Sequence, residues 1–331
     1  MNVALLYDFE QIGHSQLLPQ LANALRTMFS ADAAIYPVAA EGECISNLPD
    51  LDFDVIVLLD ALKAYFRHRL EFKGRPWVCL YSMCGSTMAQ FRMRKADESG
   101  IRAIISNCAN AVQQLNNVVP SLFFWPAVPT SGVRSADAPV GCVLPNVEDR
   151  DFCLMDAAAK VYGEEFNQQR AKRKLSLFLP AIISSALTDT AGLSSNLMTF
   201  CEMHNFSSVY DESAAWDLRY YIPAPRLTDY RLGVVPPDIL RACAYGIKPL
   251  LIYHKVLEPL QPYVTMYTSW DAYTAALREL FTTGEVAAAK VPRLPDNLIP
   301  LVGELASAIA TAYHRDNFDK VWKRETANAE P

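Results

Sequence analysis

No two of the eight cysteines stand in a CxxC pair. Zinc knuckles and dithiol redox centres of that spacing are therefore excluded. Several cysteines lie inside apolar runs, VCLYSMC and ISNCANA among them, where a free thiol packs as a small hydrophobe. A reducing, cytoplasmic setting without a metal site is the expectation. No apolar run approaches the length of a membrane span, so no transmembrane segment is expected, while peripheral membrane contact stays open. The chain opens on a strand-like segment instead of a basic region followed by an apolar stretch, and no signal peptide is expected. Charge is scarce and slightly acidic: 20% of residues are charged and the net charge is −6. A dedicated nucleic-acid binder needs a basic face, so nucleic acid is a disfavoured partner, although a local basic cleft is not ruled out. Gly13 is a lone glycine in the first strand-to-helix loop, so the GxGxxG fingerprint of dinucleotide dehydrogenases is missing. The GxSxG elbow is also missing, which argues against Cys84 or Ser86 of CGS as a nucleophile. There is no internal repeat.

What is present is apolar and regular. The chain has 331 residues, 51% of them hydrophobic, enough for two domains with sizeable cores. Over the first 125 residues, strand-like and helix-like runs alternate. VALLY (3–7), AAIYPV (33–38), DVIVLLD (54–60), PWVCLYS (76–82), IRAIIS (101–106) and SLFFWP (121–126) read as strands. SQLLPQLANALRTMF (15–29), ALKAYFRHRLEF (61–72), MAQFRMRKADES (88–99) and NCANAVQQL (107–115) read as helices. The strand at 54–60 shows no polar alternation, as expected when both faces are covered. This rhythm predicts a doubly wound parallel sheet.

Residues 127–150 lose the rhythm and read as a linker rich in proline and small residues. Beyond them, 151–173, 192–204, 237–245, 269–284 and 297–326 read as helices, and 174–183, 206–210 and 248–253 as strands. The expected organisation is α/β: two tandem Rossmann-like, doubly wound parallel-sheet domains and a long C-terminal helix. The domains are 1–150, including the linker, and 151–331, including the terminal helix.

Three stretches carry a family resemblance: IRAIISNCANAVQQL (101–115) with SLFFWPAVP (121–129), YRLGVVPPDILRACAYGIKPLLI (230–252), and YVTMYTSWDAYTAALREL (263–280). In this layout the chain resembles the GT-B class of glycosyltransferases, in which two Rossmann-like domains face a cleft. The resemblance implies a nucleotide-sugar donor, a hydroxyl acceptor and no required metal, and no DxD triplet stands at a plausible donor site. The acceptor classes it brings into view are a glycan, a lipid-linked glycan or, less favoured, a modified DNA base. The final helix is the candidate to cross back to the first domain. One departure stands out. Many retaining members carry two glutamates separated by seven residues, but the matching positions here are Gly233 and Arg241. A catalytically inactive ligand-binding or interaction protein of the same layout is therefore the alternative, and a sugar-nucleotide epimerase a third.

Candidate site residues follow from strand ends, where ligands of such sheets sit. YDFEQIGHS (7–15) places Asp8, Glu10 and His14 at the first strand-to-helix loop, where the resemblance implies a base for the acceptor hydroxyl; an ordinary polar loop is the plain reading. Asp60 closes the third strand, and Ser82, Cys84, Gly85 and Ser86 stand at the end of the fourth, carboxyl-end positions expected to face the acceptor. For the donor, SSALTDTAG (184–192) offers Ser184, Ser185, Thr188 and Thr190, against the reading of an ordinary capped loop. Asp238 stands in the first turn of a helix opened by Pro236 and Pro237, either offsetting the helix dipole or accepting from a ribose or sugar hydroxyl. Arg241 is either its i, i+3 ion-pair partner or a diphosphate fork. Tyr230 and Arg231 are candidates to flank the base. Lys248 opens a strand and is discounted, whereas His254, Lys255 and Glu258 follow that strand's carboxyl end.

Overall fold

The computed structural model describes residues 1–8, 17–38, 52–68, 76–83, 87–89, 91, 100–128, 141–143, 176–178, 207–209, 219–221, 231–236, 239–283 and 285–328. The helices read at 151–173 and 192–204, and most of the one at 88–99, lie outside these residues. The chain divides into two compact units, Met1–Thr130 with Pro300–Pro331, and Ser131–Ile299.

The first unit is a six-stranded parallel sheet of β1 (Asn2–Asp8), β2 (Asp32–Val38), β3 (Val55–Leu59), β4 (Trp77–Ser82), β5 (Ile101–Ser106) and β6 (Ser121–Phe123). Helices α1 (Leu17–Phe29), α2 (Leu62–His68) and α3 (Ala109–Leu115) connect them. The strand order is β2-β1-β3-β4-β5-β6. Every residue of β3 and β4 is buried, which explains their unbroken apolar sequence. Along α1 the buried residues Leu17, Leu18, Leu21, Ala22, Leu25 and Phe29 recur at helical spacing and form one apolar stripe. The helix ends in a Schellman arrangement. Ala31 N–H donates to Arg26 O at 3.2 Å and Ser30 N–H to Thr27 O at 3.4 Å, with Ser30 left-handed at φ 48°.

The second unit holds β7 (Gly141–Val143), β8 (Ser176–Phe178), β9 (Ser207–Val209), β10 (Tyr220–Tyr221), β11 (Lys248–Ile252) and β12 (Thr265–Tyr267), with α4 (Ile239–Ala244) and α5 (Trp270–Thr283). Its order is β12-β11-β10-β7-β8-β9, again all parallel. Counted within the unit, this is the order 3-2-1-4-5-6 of mononucleotide-binding sheets. Both sheets are thus doubly wound, as the alternating sequence predicts.

Details of the second sheet differ from the sequence reading. The stretch read as linker contains β7, whose three residues sit between Pro139 and Pro145 and are too short for a periodicity. Tyr220 and Tyr221 form a strand that no pattern announced, because the ladder is two residues long. Within RLGVV, Arg231 and Leu232 are helical and Gly233 turns at φ 65°, so the strand that precedes α4 is β10.

The last helix, α6 (Val302–Asn328), belongs to the first unit. It starts at Val302 and not near 297, because Pro300 has no N–H and drives Ile299 into an extended conformation, φ −111°, ψ 91°. Glu304 Oε2 accepts from Leu301 N–H at 2.8 Å, the reach-back half of a capping box. Val128 N–H donates to Pro300 O at 2.9 Å, and Val128 bridges Leu301, so the chain re-enters the unit beside the end of its first passage. Val302, Leu305, Ala306, Ile309 and Ala310 are buried in one core with the stripe of α1. Tyr313 closes it edge-on to Phe29 at 5.4 Å and to Trp77 at 5.5 Å. Truncating Ile309, which is fully buried, to alanine should destabilise the chain by about 2–5 kcal/mol. Urea unfolding measures this; a change below about 0.5 kcal/mol, the scale of surface substitutions, would mean α6 does not share that core.

Candidate functional site

A parallel sheet leaves its ligand crevice where the strand order reverses, outside the carboxyl ends. In the first unit the reversal falls between β1 and β3. Asp8 is the last residue of β1, and Asp60 follows the last residue of β3. Asp60 is 4% exposed and left-handed, φ 52°. Its N–H donates to Tyr81 O at 3.0 Å, which carries the β3–β4 ladder one step past the strand. Its Oδ1 accepts from Ser82 Oγ at 2.6 Å and its Oδ2 from Met83 N–H at 3.1 Å.

The network runs on into β5. Asn107 N–H donates to Ser82 O and Asn107 Nδ2 to Met83 O, both at 3.3 Å. Ser106 Oγ accepts from Cys108 N–H at 3.1 Å, where α3 begins, and Ser106 O accepts from Phe124 N–H at 2.9 Å. Ser82, Ser106 and Asn107 are fully buried. Buried polar groups are retained when they are hydrogen-bonded, and here the bonds tie the carboxyl ends of β3, β4 and β5 together. Sequence reasoning singled out Asp60 and Ser82 by their strand ends. It did not assign Asn107 a role, although the Ser–Asn turn before α3 was the available signal.

In the second unit, the site residues fall unevenly. Arg241 is the third residue of α4 and 4% exposed, in a helix whose buried residues run without a break from Ile239 to Cys243. A guanidinium enclosed in this way is costly unless its donors are used. The helix stops in a full Schellman motif. Ile247 N–H donates to Ala242 O at 2.9 Å and Gly246 N–H to Cys243 O at 3.0 Å, with Gly246 at φ 72°. The sequence AYG, Ala244 to Gly246, thus forms the turn that sends the chain straight into β11.

No family model matches the chain, and no curated protein does. Solved structures do. One of them, the lipopolysaccharide outer core galactosyltransferase WaaB in its apo form, aligns over 97% of this chain and 100% of its own, with 11% identity and a TM-score of 0.44. At that distance no residue role passes from one chain to the other.

His254 follows the carboxyl end of β11. Its Nδ1 accepts from Val256 N–H at 3.2 Å and caps the short 3-10 helix Lys255–Leu260. The neutral ring therefore carries its proton on Nε2. Lys255 and Glu258 are exposed on that helix. Lys248 opens β11 at the opposite end, its Nζ 5.6 Å above the Tyr220 ring. Glu10, His14, Ser184, Ser185, Thr188, Thr190, Tyr230 and Asp238 lie outside the described residues, as does the Asp238–Arg241 pair. Among the described residues, no group of three or more His, Cys, Asp or Glu side chains is placed to hold a metal ion, and no helix is long and apolar enough to cross a membrane.

Burial pushes the Cys243 thiol up to about 12 and raises Cys79 further. The thiol is thus neutral in the fold and ionises sooner in the unfolded chain. Its contribution to stability is whole below the ordinary thiol range and is lost as pH rises toward 12. Since the thiolate is the nucleophile, iodoacetamide at about pH 8, near the ordinary thiol value, should leave Cys243 unlabelled in the native chain and label it in denaturant. Peptide mass spectrometry reads this; equal labelling in both states would contradict the burial.

Proposed function

We propose that the chain is a glycosyltransferase that moves a sugar from a nucleotide-sugar donor to a hydroxyl acceptor without a metal ion. The observation that carries the reading is the second unit's strand order, the mononucleotide-binding order, in a chain whose first unit is a second doubly wound sheet completed by the last helix. On this reading the second unit binds the nucleotide and the first presents the acceptor.

The chemistry asks for two things. The departing diphosphate must be stabilised by groups already in place, and the acceptor hydroxyl must lose its proton. Arg241, the hydroxyls of 184–190 and the start of α4 are the donor-side candidates. Asp238, His254 and Glu258 are candidates to receive or orient ribose and sugar hydroxyls, and Tyr230 to flank the base. Asp8, with Glu10 and His14 in the same loop, is the candidate base. The acceptor is a glycan or a lipid-linked glycan ahead of a DNA base, because the chain is acidic.

A second reading keeps the fold and the ligand but not the turnover. It is favoured by Gly233 and Arg241, a left-handed turn and a buried cation where two carboxylates would serve a retaining enzyme.

A thermal-shift panel with UDP, GDP, CMP and ADP tests the shared part. A nucleotide at 100 times its Kd adds about 2.7 kcal/mol to the native state and should raise Tm by a few degrees. No shift with any of the four at millimolar concentration would remove both readings. Hydrolysis of the matching nucleotide sugar then separates them: the enzyme turns over, equally with and without EDTA, and loses turnover in Asp8→Asn. Turnover abolished by EDTA and restored by Mn²⁺ would contradict metal independence.

A further inference from the structure

We infer that Asp60 is a positioning residue of the first unit's crevice, holding the end of β1 that carries Asp8. The inference rests on the glycosyltransferase reading and adds a residue to it. Three observations carry it. Asp60 stands at the reversal of strand order, and it bridges Tyr7, the neighbour of Asp8, in an antiparallel pair. Its backbone is left-handed, a region few residues other than glycine enter, and aspartate among them. Such conformations persist where the surroundings over-determine them, and they cluster at functional sites.

The third observation concerns the carboxylate. One oxygen accepts from the Ser82 hydroxyl at 2.6 Å and the other from the Met83 N–H at 3.1 Å. Both oxygens are turned into the protein, and the residue is 4% exposed. Asp60 is thus not a base for a substrate hydroxyl. What it does is join four strand ends. Through the bridge it holds β1, through its own N–H and carboxylate it holds β3 to β4, and through Ser82, Met83 and Asn107 it reaches β5. Any group presented from the ends of β1 and β4 takes its place from this knot. A geometric shift of an ångström there is enough to cost a large part of the rate.

The test uses the full chain with UDP-glucose, GDP-mannose, CMP-sialic acid and ADP-glucose as donors, taking the one the wild type hydrolyses. Two variants are compared. Asp60→Asn keeps the shape but replaces one acceptor oxygen by a donor. Asp60→Gly keeps the left-handed turn at no steric cost and removes the carboxylate. A positioning role predicts that both lose tenfold or more in kcat, while donor KM and the Tm shift given by the free nucleotide stay within twofold of wild type. Asp60→Gly with kcat within twofold of wild type would overturn the inference. So would a loss of kcat accompanied by a matching rise in KM and loss of the nucleotide shift, or failure of Asp60→Gly to fold, since each makes Asp60 a determinant of general stability only. A wild-type chain inactive on all four donors removes the glycosyltransferase reading together with this inference. Wild-type turnover with an unaffected Asp60→Gly removes this inference alone.

Discussion

The contact between α1 and α6 is what the first unit depends on. A parallel sheet has two faces to cover, and its own connections supply the helices. Here part of that cover comes from the far end of the chain. Leu305 and Ile309 are fully buried in the core that holds Leu21 and Leu25, and Tyr313 fills the space between Phe29 and Trp77. Without α6 those groups would face water. The core of the first unit is therefore complete only with the last helix in place, and the second unit is formed from the residues between.

The same division places chemistry at strand ends in two different ways. In the first unit the described carboxyl ends are occupied by a closed polar knot, Asp60, Ser82, Ser106 and Asn107, whose hydrogen bonds point inward. Such a knot makes a rigid floor and not a reactive one. In the second unit the described groups are an enclosed arginine and a histidine that caps a turn with one ring nitrogen. These are groups suited to holding charge and donating hydrogen bonds. The proposed division of labour, one unit orienting a hydroxyl and the other holding a nucleotide, draws on this contrast.

Much of this was legible in the sequence, for physical reasons. VIVLL and WVCLYS are apolar throughout because both faces of β3 and β4 are covered. Asp60 and Ser82 could be found by counting to strand ends. The direction of the Asp60 carboxylate could not, because it follows from a left-handed backbone that aspartate adopts without a marker in the sequence. Arg241 read as one half of an i, i+3 ion pair with Asp238 or as a diphosphate fork. Its burial depends on how α4 is enclosed, which a six-residue segment does not declare. The strands GCV and YY escaped because two or three residues carry no period. The start of α6 was misplaced by five residues because apolar spacing continued through NLIP while Pro300 stopped the helix.

The central claim is that the last helix and the first sheet are one structural unit. Native-state hydrogen exchange on the full chain tests it most directly, since cooperative units open together. The account predicts that the amides of α6 between Leu305 and Ala310 open with the same free energy as those of β3 and β4, and shift with them as urea is added. Independent, fast exchange of α6 while β3 and β4 remain protected would contradict it.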